Sequence, residues 1–247
     1  VRAQEEASEI LVGWIQLAVV LGFAVVYLVA PKTFSAAAPF QPVPWALSVY
    51  LAFTLLRLTL AYGHRLPEWL RYLSIIVDMT LLLGMIWSFH LQYEQPPSFY
   101  LKAPTVLYIF IFIALRTLNF DARKVLTAGA VAVAGWLVLV AYVISIDPRD
   151  TMITRDYVRY MTSNSILIGA EVDKMISILV VTAILGFAIM RNRRLLTYAV
   201  TESASNQDLA RFVPAEVANL IKTSDDGVEV GSGEPREATV LFLDLEG

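Results

Sequence analysis

Two ionisable side chains lie where the sequence is otherwise almost wholly apolar. Arg57 falls in the stretch 43–62 and Asp78 near the middle of the stretch 69–91. If both stretches are antiparallel helices, a rise of about 1.5 Å per residue places the two at a similar depth, roughly 9–14 Å from one end. A lone charge at the centre of a bilayer costs at least about 2.5–3.5 kcal/mol, so each requires a partner, and each is the natural partner of the other. The pair could serve as a relay or sensing element, or as an ion pair that fixes helix register. A second charged group, Glu171, Asp173 and Lys174, opens the apolar stretch 172–190 and follows Asp147, Arg149, Asp150, Arg155, Asp156 and Arg159. It is a candidate outer ligand region; a solvated helix of mixed charge is the alternative. A further carboxylate, Asp244, closes the apolar run Ala238-Thr239-Val240-Leu241-Phe242-Leu243, which reads as a buried strand. His64 and His90 fall at opposite ends of the apolar stretches, where they cannot share a metal within one subunit. With no cysteine, thiolate sites and disulfides are excluded.

The elements that must position these residues are helices in a bilayer. Of the 247 residues 57% are hydrophobic and 17% charged, and mean hydropathy is +0.61. A soluble domain has about a quarter of its residues charged. Six stretches approach the roughly 20 residues needed to cross hydrocarbon, at 10–30, 43–62, 69–91, 101–118, 125–146 and 172–190. Breakers separate them, including Pro31, Gly63, Pro67, Pro96, Pro97 and the Asn119-Phe120-Asp121 turn. Ala128, Ala132 and Gly135 in the fifth would let a neighbouring helix approach closely.

Lys and Arg concentrate on the cytoplasmic side of a membrane protein. With the N-terminus inside, the inner flanks hold Arg2, Arg57, Arg65, Arg71, Arg116, Arg123, Lys124, Arg191, Arg193 and Arg194. The outer side holds Lys32, Lys102, Arg149, Arg155, Arg159 and Lys174. Both termini are therefore expected in the cytoplasm, with the protein in the plasma (inner) membrane. The net charge of −3 gives no case for nucleic acid as a partner.

After Arg194 the pattern turns polar. Residues 195–211 contain no Gly or Pro and are expected to continue the last span as a helix, with Leu196, Ala199, Ser203, Asn206 and Ala210 on a weak, polar stripe. Pro214 suits the first position of a short helix whose apolar face is Val217, Leu220 and Ile221. Three regions follow: a six-span membrane domain at 1–190, a helical linker at 191–222, and the beginning of a further domain at 223–247. The expected fold class is an all-α membrane bundle leading into the first strand of an α/β domain.

That tail resembles the entrance to class III adenylate and guanylate cyclase domains. Arg211-Phe212-Val213-Pro214-Ala215-Glu216-Val217-Ala218 is similar to the family's short helix ahead of the catalytic core. Thr239-Val240-Leu241-Phe242-Leu243-Asp244-Leu245-Glu246-Gly247 is similar to its first strand. The resemblance covers about the last 40 residues, in the family's order. It implies that Asp244 is one of two aspartates that hold Mg²⁺ or Mn²⁺. Two such ions activate the ribose 3′-hydroxyl of ATP and stabilise the leaving pyrophosphate. It further implies a homodimer, with active sites at the subunit interface and the lipid-embedded part acting as anchor and regulatory region, open to an unidentified extracellular or membrane ligand. The second metal aspartate, the base-selecting residues and the transition-state Asn and Arg would follow Gly247, so this stretch alone is not expected to catalyse. A guanylate cyclase is the nearest alternative. A sensor histidine kinase would need a phosphoacceptor His after the last span, and neither histidine lies there. A six-helix transporter or channel leaves the terminal strand unexplained.

Overall fold

The computed structural model describes residues 2–32, 41–63, 67–146 and 152–212, and every regular element in them is helical. The short helix and strand expected within 213–247, and Asp244 with them, lie outside the described residues. Helices α1 (Arg2–Val29), α2 (Pro42–Tyr62) and α3 (Glu68–Gln92) come first. Two 3-10 turns, Pro97–Lys102 and Pro104–Leu107, lead into α4 (Tyr108–Thr117). Then follow α5 (Ala122–Ile146), the short α6 (Tyr157–Thr162) and the long α7 (Ile168–Phe212). Five of these, at Ser8–Val29, Pro42–Tyr62, Glu68–Gln92, Ala122–Ile146 and Ile168–Thr197, are long and apolar enough to cross a membrane.

Local chemistry sets the boundaries. Prolines occupy the first turn of α2, where their missing N–H is no loss. The α6 helix begins at Asp156, whose carboxylate accepts from the Val158 N–H at 2.8 Å. The fourth expected span, 101–118, differs most from its sequence reading. Its apolar helical part is Pro104–Thr117, shorter than the other five spans. Pro104 disfavours helical backbone at Ala103, which is extended at φ −64° and ψ 128°. The 4-residue 3-10 turn and the 10-residue α4 together rise about 23 Å, against roughly 30 Å of hydrocarbon.

The chain divides into two compact units, Val1–Arg193 and Arg194–Gly247. In the second, the described residues are the end of α7. The first has its core around α3, α4 and α5. Ile75, Met79, Leu82 and Ile86 recur at helical spacing on α3 and are buried, as are Ile109 and Ile113 on α4 and Ala128, Ala132, Trp136 and Val143 on α5. The outward faces are apolar too: Val25, Val26 and Leu28 on α1, and Ile184 and Phe187 on α7, are exposed. Such faces suit lipid and not water, which makes the chain compatible with a multi-pass membrane protein.

The close approach to α5 expected at Ala128, Ala132 and Gly135 is present: both alanines are buried, and a Cβ at Gly135 would overlap Leu83 Cδ1 of α3. Gly129, beside that stripe, is met as closely by Thr182 of α7. A Cβ at Gly129 would overlap the Thr182 hydroxyl and methyl and sit 2.7 Å from its Cβ. Thr182 cannot easily turn away, since its hydroxyl donates to the Ile178 carbonyl at 2.6 Å. Gly129→Ala should therefore destabilise the unit by about 1–3 kcal/mol, as overpacking does. Adding Thr182→Gly, which removes the overlapping atoms, should recover part of the loss. Thermal unfolding in detergent checks this; a Gly129→Ala chain as stable as the parent would contradict the α5–α7 contact.

Candidate functional site

Burial concentrates polar side chains in two places. The first spreads inward from the end of the bundle where α1 begins. Glu9, two turns into α1, is 2% exposed. One carboxylate oxygen accepts from Arg57 Nη2 of α2 at 2.8 Å. The other accepts from Lys124 Nζ of α5 at 2.5 Å and from Asn119 Nδ2 at 3.3 Å. Gln16 lies two further turns along the same face of α1. Its Oε1 accepts from Arg57 Nη1 at 2.7 Å, while its Nε2 donates to Asp78 Oδ1 of α3 at 2.9 Å and to the Tyr50 hydroxyl. The other oxygen of Asp78 is ion-paired with Arg116 of α4. Both amide protons and the carbonyl of Gln16 are engaged, which fixes its orientation.

Arg57 and Asp78 thus belong to one network, but not as the direct ion pair that their depth suggested. Each has its own ionic partner, Glu9 for Arg57 and Arg116 for Asp78, and Gln16 stands between them. The network links five helices and contains two carboxylates and three cations, all buried. Buried charges of this kind are tolerated when paired and hydrogen-bonded. The continuous chain from Glu9 to Arg116 holds α1 to α5 in one register.

Sequence reasoning missed Glu9, Gln16, Arg116, Asn119 and Lys124 as partners. A signal was present for two of them: Glu9 and Gln16 are seven residues apart, hence on one face of an otherwise apolar helix.

The second cluster gathers the start of α7, Trp136 of α5 and the 3-10 turn Pro97–Lys102. Glu171, 1% exposed, accepts from Trp136 Nε1 at 3.1 Å and pairs with Lys174 at 2.8 Å. Lys174 also donates to the Leu101 carbonyl at 2.6 Å. Lys102 donates to the carbonyls of Tyr160 and Ser163 and lies over the Tyr160 ring, 4.5 Å from its centroid. Of the expected outer ligand residues, then, Glu171 and Lys174 meet in this cluster, and Asp173 points away and is exposed. Partial burial and then the nearby Lys174 charge hold the Lys102 ammonium below the ordinary lysine range. Burial, and after it the Glu171 charge, raises the Tyr160 phenol. A cavity of about 440 Å³ opens beside the two lysines. His90 is enclosed nearby, its Nδ1 against the Trp87 carbonyl and its ring among Trp87, Tyr100 and Tyr142.

Comparison with protein-family models, with curated proteins and with solved structures finds no match. The chemistry of the two clusters therefore stands on their own geometry. Among the described residues no three His, Asp or Glu side chains gather as a metal site. The residue expected to hold a metal, Asp244, lies outside them.

Proposed function

We propose that this chain is the membrane anchor and regulatory region of an adenylate cyclase, which makes cyclic AMP from ATP in signal transduction. The observation that carries the reading is an ordered series in the sequence. Apolar helices come first, a polar stretch without Gly or Pro follows, then the Pro214 helix pattern, and last the apolar run that ends on Asp244. The continuous α7, Ile168–Phe212, supports it by joining an apolar span to the polar linker in one helix. In this reading the chain crosses the inner membrane six times, the fourth crossing using the Pro104–Leu107 turn and α4. Both termini are cytoplasmic, and the Arg191, Arg193 and Arg194 cluster lies just inside. The protein works as a homodimer, and Asp244 contributes a hard carboxylate to a Mg²⁺ or Mn²⁺ pair that neutralises triphosphate charge.

The test is product formation by a polypeptide carrying this chain with a complete catalytic domain. Membranes containing it should form cyclic AMP from ATP with Mg²⁺ or Mn²⁺, and a reporter fused after Arg194 should be cytoplasmic. Cyclic GMP formed from GTP in place of cyclic AMP would move the assignment to guanylate cyclase. The absence of both products, or an extracellular reporter, would refute the reading.

A further inference from the structure

We propose that the cavity beside Lys102 and Lys174 binds an anionic phospholipid of the surrounding membrane, with the phosphate on the two ammonium groups and an acyl chain along Val106, Leu107 and Met161. The charge count is the first argument. Glu171 is buried and committed to Trp136 and Lys174, so it neutralises one of the two lysines. Lys102 has only the carbonyls of Tyr160 and Ser163 as hydrogen-bond partners among the described residues. The site keeps a net positive charge, and both lysines line the one cavity. The donor count is the second. An ammonium has three N–H groups; each lysine spends two, Lys174 on Leu101 and Glu171 and Lys102 on its two carbonyls. One donor on each remains, enough for two oxygens of a single phosphate.

The surroundings select a lipid over a soluble anion. The volume, about 440 Å³, lies within the roughly 300–1,000 Å³ usual for small-molecule sites. Its wall includes Leu107 and Met161, which are 59% and 63% exposed. Met161 shares one face of α6 with the exposed Tyr157 and Val158. The cavity therefore opens onto an apolar surface that calls for acyl chains, while its wall also carries two ammonium groups that call for an anionic headgroup.

The full chain should be placed in nanodiscs of phosphatidylcholine alone or with added phosphatidylglycerol, and retained lipid measured by native mass spectrometry after release. Phosphatidylglycerol should be retained over phosphatidylcholine by at least about tenfold relative to its share in the disc, a margin of one decade in affinity. Lys102→Gln with Lys174→Gln should abolish that preference. Because Lys174→Gln also leaves Glu171 unpaired, Lys102→Gln alone is the second variant; it should weaken the preference at temperatures where thermal unfolding in phosphatidylcholine shows the chain still folded. Equal retention of the two lipids by the parent chain, or an unchanged preference in both variants, would overturn the proposal. So would displacement of the lipid by millimolar inorganic phosphate, which would identify a soluble-anion site.

Discussion

Glu9→Ala is expected to destabilise the helical unit by about 3 kcal/mol or more, one of the largest losses available to a single truncation in this chain. Its carboxylate is the only acidic partner of both Arg57 and Lys124 among the described residues. Removing it leaves two cations buried and unpaired, the situation in which deleting one member of a buried pair costs about 3–5 kcal/mol. Glu9→Gln, which keeps an acceptor but no charge, should fall between the two. Replacing Glu9, Arg57 and Lys124 together with Leu, Met and Met removes all three desolvation costs and should be much less harmful than Glu9→Ala. The same geometry predicts that Arg57 and Asp78 are coupled through an intermediary. A double-mutant cycle on the two should give a coupling energy in the parent chain that falls sharply once Gln16 is changed to Leu. Thermal unfolding in detergent reads all of these. A Glu9→Ala chain as stable as the parent would dissolve the argument.

Asp244→Ala should lower cyclic AMP formation by more than about a hundredfold in a polypeptide with a complete catalytic domain. That corresponds to roughly 2.7 kcal/mol of barrier at 1.36 kcal/mol per decade, modest for the loss of an anionic metal ligand beside a triphosphate. Asp244→Asn should be nearly as damaging, because the charge and not the size of the side chain is what a hard cation requires. Membrane content and thermal stability should match the parent, which separates this effect from the one at Glu9. Ordinary turnover in either variant would remove Asp244 from the site.

The long helices are legible in the sequence because apolar stretches of about 20 residues have few alternatives to a helix in lipid. The fourth is the least legible: Lys102 and Pro104 interrupt the start of the run 101–118, and the effect of Pro104 on Ala103 decides where α-helical backbone can start. The buried charges were legible as needing partners but not as to which. Depth matching pairs two charges on two helices uniquely, yet here two carboxylates and three cations from five helices lie in one connected region. Arg116 and Lys124 were read as flanking charges because they stand near helix ends, and burial at those ends comes from tertiary packing that no local pattern carries. The cluster around Glu171 is legible in part. Glu171 and Lys174 are one turn apart and meet, but the indole of Trp136 as the carboxylate's second partner is a contact across 35 residues.

The network also has a history during synthesis. Glu9 precedes Arg57 by 48 residues and Lys124 by 115. At roughly 5–20 residues per second, its second cation is made about 6–23 s after it. For that interval the first helix carries a carboxylate whose ionic partners do not yet all exist, and Asp78 likewise waits for Arg116, 38 residues behind it. The first three helices can therefore join as a provisional set through Glu9, Arg57, Gln16 and Asp78, and the arrival of α4 and α5 locks it. A chain halted between α3 and α5 would hold Glu9 without Lys124 and Asp78 without Arg116, each carboxylate short of one of its cations.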